Sequence, residues 1–442
     1  MSLKFLIFQT FIFALLMGAC EEKHQPTKAM KGMGKVYIQK DGDKYTLYRN
    51  DQPYYIKGAA GYDQFHQVKA CGGNSIRTWG GENTQAVLDT AWKHGLSVTV
   101  GLYIGPMRHG FDYSDKEAVR KQKQGILTLV KEFKDHPAVL MWGIGNELDI
   151  VNGSDRADNP DLWKAVNDIA AMIHEEDPNH PVTTMVVPFR KTIRNINKYC
   201  PEIDILSFNV FSGLHELKSK LQEPVWGWNK PYLISEWGPH GWWESERTLW
   251  DAPIEESSTK KAEFYKERYE NHIFTDKEQC LGSYVFYWGQ KQEITGTWFS
   301  MFDSKGNRSE AVHTMKYLWS GESSYNTPPS LEYISMDEKG AKENLFIESC
   351  SKHKAQALVS DKEGDPLTYK WSIKPESMTT GYWGENEKDV KPVFTKQGKN
   401  LQELTFEAPK KEGAYRLFCH IYDQQGNYAT ANFPFYVLEY KK

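Results

Sequence analysis

The sequence predicts a (β/α)8 TIM barrel followed by an all-β, immunoglobulin-like sandwich, and three observations predict it. Eight short apolar runs rich in β-branched and aromatic residues alternate with helical patterns between Tyr54 and Trp319. A polar, helix-breaking stretch from Gly321 to Ser330, with Pro328-Pro329 inside it, ends that rhythm. Beyond it the helical patterns stop and short alternating runs take over. The length of 442 residues agrees. It accommodates one barrel of about 250–300 residues and one small domain.

The chain opens on a processing segment. Lys4 supplies a positive start, and Phe5 to Met17 is apolar apart from Gln9 and Thr10. Such a run is short for a bilayer span, so it predicts a signal peptide. It ends Leu16-Met17-Gly18-Ala19-Cys20, which resembles the bacterial lipobox. That resemblance implies cleavage before Cys20 and lipid on its thiol. The expected organisation is a signal peptide over 1–20 and a flexible, polar tether over 21–33. The catalytic-type barrel then covers 34–323 and the sandwich 329–442. The expected location is a lipid anchor in the outer membrane or on the surface of a Gram-negative cell. Cys20-Glu21-Glu22-Lys23 is similar to the surface-export signals of some such lipoproteins.

Lys35 to Lys57 alternates around Asp41-Gly42 and Asn50-Asp51, which predicts short antiparallel strands with turns. The eight runs of the barrel are Tyr54–Ala60, Ser75–Trp79, Ser97–Ile104, Val139–Gly145, Val182–Val187, Ile205–Val210, Tyr232–Ser235 and Ser283–Trp288. Eight units favour a closed barrel over an open sheet. Helices are expected over Asn83–His94, Lys116–Asp135, Leu162–Glu176 and Glu310–Trp319. The sandwich is expected from six runs: Leu345–Glu348, Ala355–Ser360, Thr368–Ile373, Glu403–Glu407, Tyr415–Tyr422 and Phe433–Leu438. The stretch Asp361 to Trp371 resembles the strand-turn segment of immunoglobulin-like and PKD-like modules.

Composition narrows the function. The net charge is −4 with no basic block, so nucleic-acid binding has no electrostatic footprint. The six cysteines form neither a C-x-x-C pair nor a Cys/His cluster at zinc spacing, and neither a metal nor a cofactor is expected. Cys71, Cys200 and Cys280 sit beside apolar runs and read as buried thiols, while the pairing of Cys350 with Cys419 stays open. Fifteen Trp suit flat ligands such as sugar rings, with core packing as the plain alternative.

Two glutamates end predicted strands. Glu147 closes Trp142-Gly143-Ile144-Gly145-Asn146-Glu147 on the fourth run, and Glu236 closes Tyr232-Leu233-Ile234-Ser235-Glu236 on the seventh. Barrel strand ends form one rim, where catalytic groups sit. A retaining glycosidase needs two carboxyl groups about 5–5.5 Å apart on such a rim. These motifs, with the strand count, resemble the clan A glycoside hydrolases. The resemblance implies Glu147 as acid/base, Glu236 as nucleophile, Asn146 on the sugar 2-hydroxyl and Arg77 beside the nucleophile. It also implies Trp288 under the sugar at the cleavage point. Trp79 and Trp237 end strands two and seven and are expected on the same rim. The clan often hydrogen-bonds its nucleophile from strand six through Tyr or His. Here Phe211 lacks the hydroxyl, which leaves Asn209 or His240 for that task, or no residue at all.

Within the clan, the compact barrel, lipobox and C-terminal module look most like family 158, the bacterial endo-β-1,3-glucanases. The barrel also resembles families 2 and 5. The expected partners are a polysaccharide, with β-glucan favoured, and a membrane through the anchor. The alternatives are another β-glycosidase such as a β-galactosidase or β-mannanase, a β-glucan transglycosylase, and a carbohydrate-binding lipoprotein without catalysis.

Overall fold

The computed structural model describes residues 35–80, 83–151, 155–156, 158–376 and 387–439. Cys20 and the segments expected to be signal peptide and tether lie outside the described residues.

The eight expected runs form the closed parallel barrel. They are β1 (Ile56–Ala60), β2 (Ser75–Arg77), β3 (Ser97–Leu102), β4 (Val139–Asn146), β5 (Val182–Val186), β6 (Ile205–Asn209), β7 (Tyr232–Trp237) and β8 (Cys280–Val285). A helix follows each strand: α1 (Phe65–Ala70), α2 (Thr84–Lys93), α3 (Lys116–Phe133), α4 (Pro160–Glu176), α5 (Arg190–Tyr199), α6 (Leu214–Gln222), α7 (Ser258–Arg268) and α8 (Glu310–Ser320). Capping fixes several helix starts. Asp115 accepts from the Glu117 and Ala118 amides, and Asn159 accepts from Asp161 just ahead of Pro160. Gly321, at φ +77°, ends α8.

The barrel interior mixes polar and apolar layers. The Tyr284 hydroxyl lies 2.9 Å from Ser75 Oγ and 2.5 Å from Thr99 Oγ1. Its ring occupies space that a side chain at position 58 would need, because a Cβ on Gly58 would lie 2.2 Å from Tyr284 Cδ1. The N-terminal ribbon, Val36–Asp41 paired antiparallel with Lys44–Arg49, closes the opposite end of the barrel. Its Val36 amide donates to Asn179 and its Tyr45 amide to Glu278, both at the N-terminal ends of strands.

Among the described residues the C-terminal region has eight strands in two sheets. In chain order they are β9 (Ser330–Met336), β10 (Phe346–Glu348), β11 (Lys352–Ser360), β12 (Thr368–Pro375), β13 (Phe394–Lys399), β14 (Glu403–Glu407), β15 (Gly413–Tyr422) and β16 (Tyr428–Leu438). One sheet runs β9-β11-β14 and the other β10-β16-β15-β12-β13, with Trp371, Leu417 and Phe433 buried between them. Two strands escaped the sequence reading. In β9 a register shift between Leu331 and Tyr333 breaks the period of two, and β13 is a largely exposed edge with no apolar alternation. All five described cysteines are free thiols. Cys71, Cys200, Cys280 and Cys419 are buried and Cys350 is exposed, so Cys350 and Cys419 do not pair. The sandwich docks on the barrel, with α7 against β9 and β16.

Candidate active site

The site lies where the C-terminal ends of the barrel strands open into a cavity of about 1080 Å³. Asn146, Glu147, Asn209 and Glu236 all reach it. β4 delivers Glu147 through a sharp turn: Gly145 has φ +68° and Glu147 itself φ +50°. A non-glycine residue in that region costs roughly 1–3 kcal/mol, so its surroundings must hold it there. The Glu147 amide donates to the Met185 carbonyl at 2.9 Å, and its own carbonyl accepts from Arg108 Nη1 at 2.6 Å.

The two glutamates sit in contrasting surroundings. Glu236 Oε1 accepts from Arg77 Nη1 at 2.5 Å and from Trp79 Nε1 at 2.8 Å. The guanidinium is wholly buried and also lies 4.5 Å from the centroid of the Trp79 ring. Glu147 instead accepts from a neutral amide, Asn209 Nδ2, at 2.9 Å. Burial, with the Glu236 charge as a second cause, pushes its carboxyl up to about 7 against the pull of Asn209, Arg108 and Arg77. A hydrogen-bonded chain joins the pair: Arg77 Nη2 donates to Asn146 Oδ1 at 2.5 Å, and Asn209 Nδ2 donates to the same oxygen at 3.1 Å. Ser235 Oγ fixes the other end of Asn209 by donating to Oδ1 at 2.7 Å.

Several expected residues lie elsewhere. Trp237 points out of the barrel and is buried against Tyr265 and Tyr269, with ring centroids at 5.6 and 5.9 Å. Successive strand residues face opposite sides, so Glu236 facing in sends Trp237 out. Trp288 lies three residues beyond the end of β8, buried against Phe302 and Trp319 with its Nε1 donating to Gln64 O. Tyr287 lines the cavity in its place. His240 packs edge-on against Phe264, with ring centroids 4.5 Å apart, and is not among the lining residues. Asn209 donates to Glu147 rather than to Glu236, whose carboxylate is held by Trp79, from the loop after β2, together with Arg77.

The walls were mostly illegible in the sequence. Tyr62, Tyr287, Phe286, Phe299 and Trp243 continue the aromatic side begun by Trp79, while Ile104, Ile150 and Val187 flank Glu147. Arg108, Lys291 and Glu293 add charge. All are loop residues or stand next to strand ends, without a motif to mark them.

Residues 64–322 match the family described as glycosyl hydrolases family 2, TIM barrel domain. The chain belongs to this family. Family 2 was one of the likenesses carried by the strand-end motifs, and this match bears out that likeness rather than the one to family 158. A β-glucuronidase of Bacteroides fragilis is 28% identical over 120 residues, 26% of this chain and 16% of that protein. Among solved structures, the β-glucuronidase of Faecalibacterium prausnitzii aligns at TM-score 0.50 with 18% identity, covering 65% of this chain and 52% of that one. A calcium-binding mutant of Bacteroides uniformis β-glucuronidase 2 aligns at TM-score 0.50 with 14% identity, covering 92% of this chain and 48% of that one. The chain thus spans about half the length of these structures. At such identities the structural likeness speaks to fold, and the family 2 barrel is where it agrees with the sequence match.

Proposed function

We propose that this family 2 protein hydrolyses β-glycosides with retention of configuration. The observation that carries the reading is the contrast between the two linked glutamates. One is ion-paired with Arg77, and the other is pushed toward neutral pH by burial. That is the division of labour a double displacement needs. Glu147 donates its proton to the leaving oxygen as a Glu236 oxygen bonds to the anomeric carbon. Water then enters on the same face, Glu147 takes its proton, and the glycosyl ester breaks. Asn146 and Asn209, on the floor between the two, are placed to meet the sugar 2-hydroxyl. Arg77 and Trp79 orient the carboxylate that attacks.

The coarse substrate is a β-linked carbohydrate. The family match supports a β-glycosidase other than the endo-β-1,3-glucanase expected from the family 158 likeness, so β-1,3-glucan enters only as a test substrate. A β-uronide is the second reading. It is favoured by two cations, Arg108 and Lys291, in the cavity lining and by the β-glucuronidase matched in sequence. Aryl β-glucosides, β-galactosides, β-mannosides, β-glucuronides and laminarin, assayed side by side, separate these. Glu236→Ala and Glu147→Ala should each nearly abolish turnover, and azide should restore Glu236→Ala with formation of an α-glycosyl azide. Near-normal activity in either variant would sink the assignment. A lipid anchor on Cys20 belongs to the same proposal. Cys20→Ser should move the protein to the soluble fraction without changing kcat.

A further inference from the structure

The loop that follows β8 carries Lys291, Glu293 and Phe299 into the cavity wall. Glu293 is nearly buried; its Oε1 accepts from Trp242 Nε1 at 3.0 Å and its Oε2 from Lys291 Nζ. The next residue, Ile294, has φ +60°, a conformation that a β-branched side chain strongly disfavours. Inside the loop a tight bridge between Glu293 and Thr295, with Gln292 Nε2 donating to the Ile294 carbonyl at 3.3 Å, supports this kink.

A further support comes from outside the barrel. Glu387, in the sandwich ahead of β13, accepts the Ile294 amide on Oε2 at 2.6 Å. A second attachment is buried. Glu255 accepts from Thr295 Oγ1 at 2.6 Å, Thr297 Oγ1 at 2.8 Å and Lys261 Nζ at 2.5 Å. Its Oε2 also accepts from Asn432 Nδ2 of β16 at 2.6 Å, and Asn432 Oδ1 accepts from Arg416 Nη1 of β15 at 2.7 Å. Arg416 in turn donates to Pro253 O at 2.7 Å and pairs with Glu376 at 2.9 Å. Both of these anchors end on the sandwich, and they add to barrel contacts in which Lys261 Nζ donates to Thr297 O at 2.7 Å and Trp298 Nε1 to His240 O at 2.9 Å.

We propose that the C-terminal sandwich builds part of the substrate site, and that Glu387 is a positioning residue that sets the Lys291–Glu293 pair against the bound sugar. The inference rests on the glycosidase reading of the cavity. Glu387 touches no substrate. It holds a strained backbone turn whose neighbour presents the charged pair. The hydrogen bond needs only an acceptor oxygen, so Gln at this position keeps it and Ala does not.

The test uses the full chain with Glu387→Ala and Glu387→Gln. Hydrogen exchange over the peptide spanning residues 287–299 reads the loop directly. Exchange there should be faster in Glu387→Ala and unchanged in Glu387→Gln. On whichever β-glycoside the protein hydrolyses, Glu387→Ala should raise KM on the order of 5- to 10-fold with kcat within about twofold, and Gln should restore it. Equal exchange in all three proteins, or an Ala variant with unchanged KM, would overturn the proposal. If the wild type cleaves no β-glycoside, the glycosidase reading fails, and the exchange data alone decide whether the sandwich holds the loop. Should Glu387→Ala fail to fold, Asn432→Asp, which sets a like charge against Glu255, is expected to speed exchange in the same peptide. Unchanged exchange there would refute the second anchor.

Discussion

Asn209 donates to the Glu147 carboxyl at 2.9 Å, and removing that donor should move the alkaline edge of the pH profile upward. Burial and the Glu236 charge raise the Glu147 carboxyl, and Asn209 is the first of the groups that lower it. In Asn209→Ala the ionised form loses a hydrogen bond that contributes about 1.5–3 kcal/mol in a buried site. Water entering the space left by the side chain replaces part of that. Taking the lower end, and about 1.4 kcal/mol per pKa unit, the shift is about one unit. The sign follows from which form is stabilised. A lost donor penalises the carboxylate, so the acid keeps its proton to higher pH. The alkaline limb of kcat/KM should move from about 7 toward about 8. The assay is kcat/KM across pH 5–10 on a phenyl glycoside, whose poor leaving group makes proton donation matter. The maximum rate should fall as well, because Asn146 and Ser235 lose a partner. The position of the limb is the deciding readout. A limb that stays in place, or moves to lower pH, would refute the assignment of Glu147 as the acid.

Three further outcomes are expected. Glu236→Gln removes the like charge facing Glu147, so the Glu147 carboxyl should titrate at lower pH than in the wild type, read by NMR of carboxyl-labelled glutamate; an upward shift would contradict the pairing. Trp79→Phe keeps a ring in the wall but deletes the Nε1 donor to Glu236, and should lower kcat/KM by about 10-fold with little change in melting temperature. Trp237→Ala should cost about 3–5 kcal/mol in chemical denaturation while KM in the folded enzyme holds steady, since its ring packs behind the strand rather than in the cavity.

The barrel was legible because each strand is a short buried run and four of the helices carry a clear pattern, while α1, α5 and α6, without a side-chain cap, were not bounded from sequence. Val139–Asn146 and Lys116–Phe133 could be bounded within a few residues on those grounds alone. The floor of the site was legible for the same reason: Arg77, Asn146 and Asn209 end their strands and Glu236 stands next to the last residue of β7. Trp237 was misplaced although the same period applied to it, and facing it outward needed only the count from Glu236. The fault with Trp288 differs, because β8 ends at Val285 and the chain beyond follows no period. Lys291, Glu293 and Arg108 carry no local pattern at all. Their place depends on how loops pack on one another and, for the first two, on the sandwich.

The chain of contacts from Glu236 through Arg77, Asn146 and Asn209 to Glu147 draws on β7, β2, β4 and β6 in turn. β6 and β7 are neighbours in the ring, whereas β2 and β4 are separated from them and from each other by strands that contribute nothing to the floor. No half-barrel holds the complete set, so a fragment carrying the first four strands has Arg77 and Asn146 but neither Asn209 nor Glu236. Activity can therefore appear only once the ring has closed. During refolding, turnover should lag behind helix formation and rise with the final closure of the ring. Loops outside that circuit are free to change what the protein recognises without disturbing how it reacts, unlike the turns that carry Glu147 and Trp79.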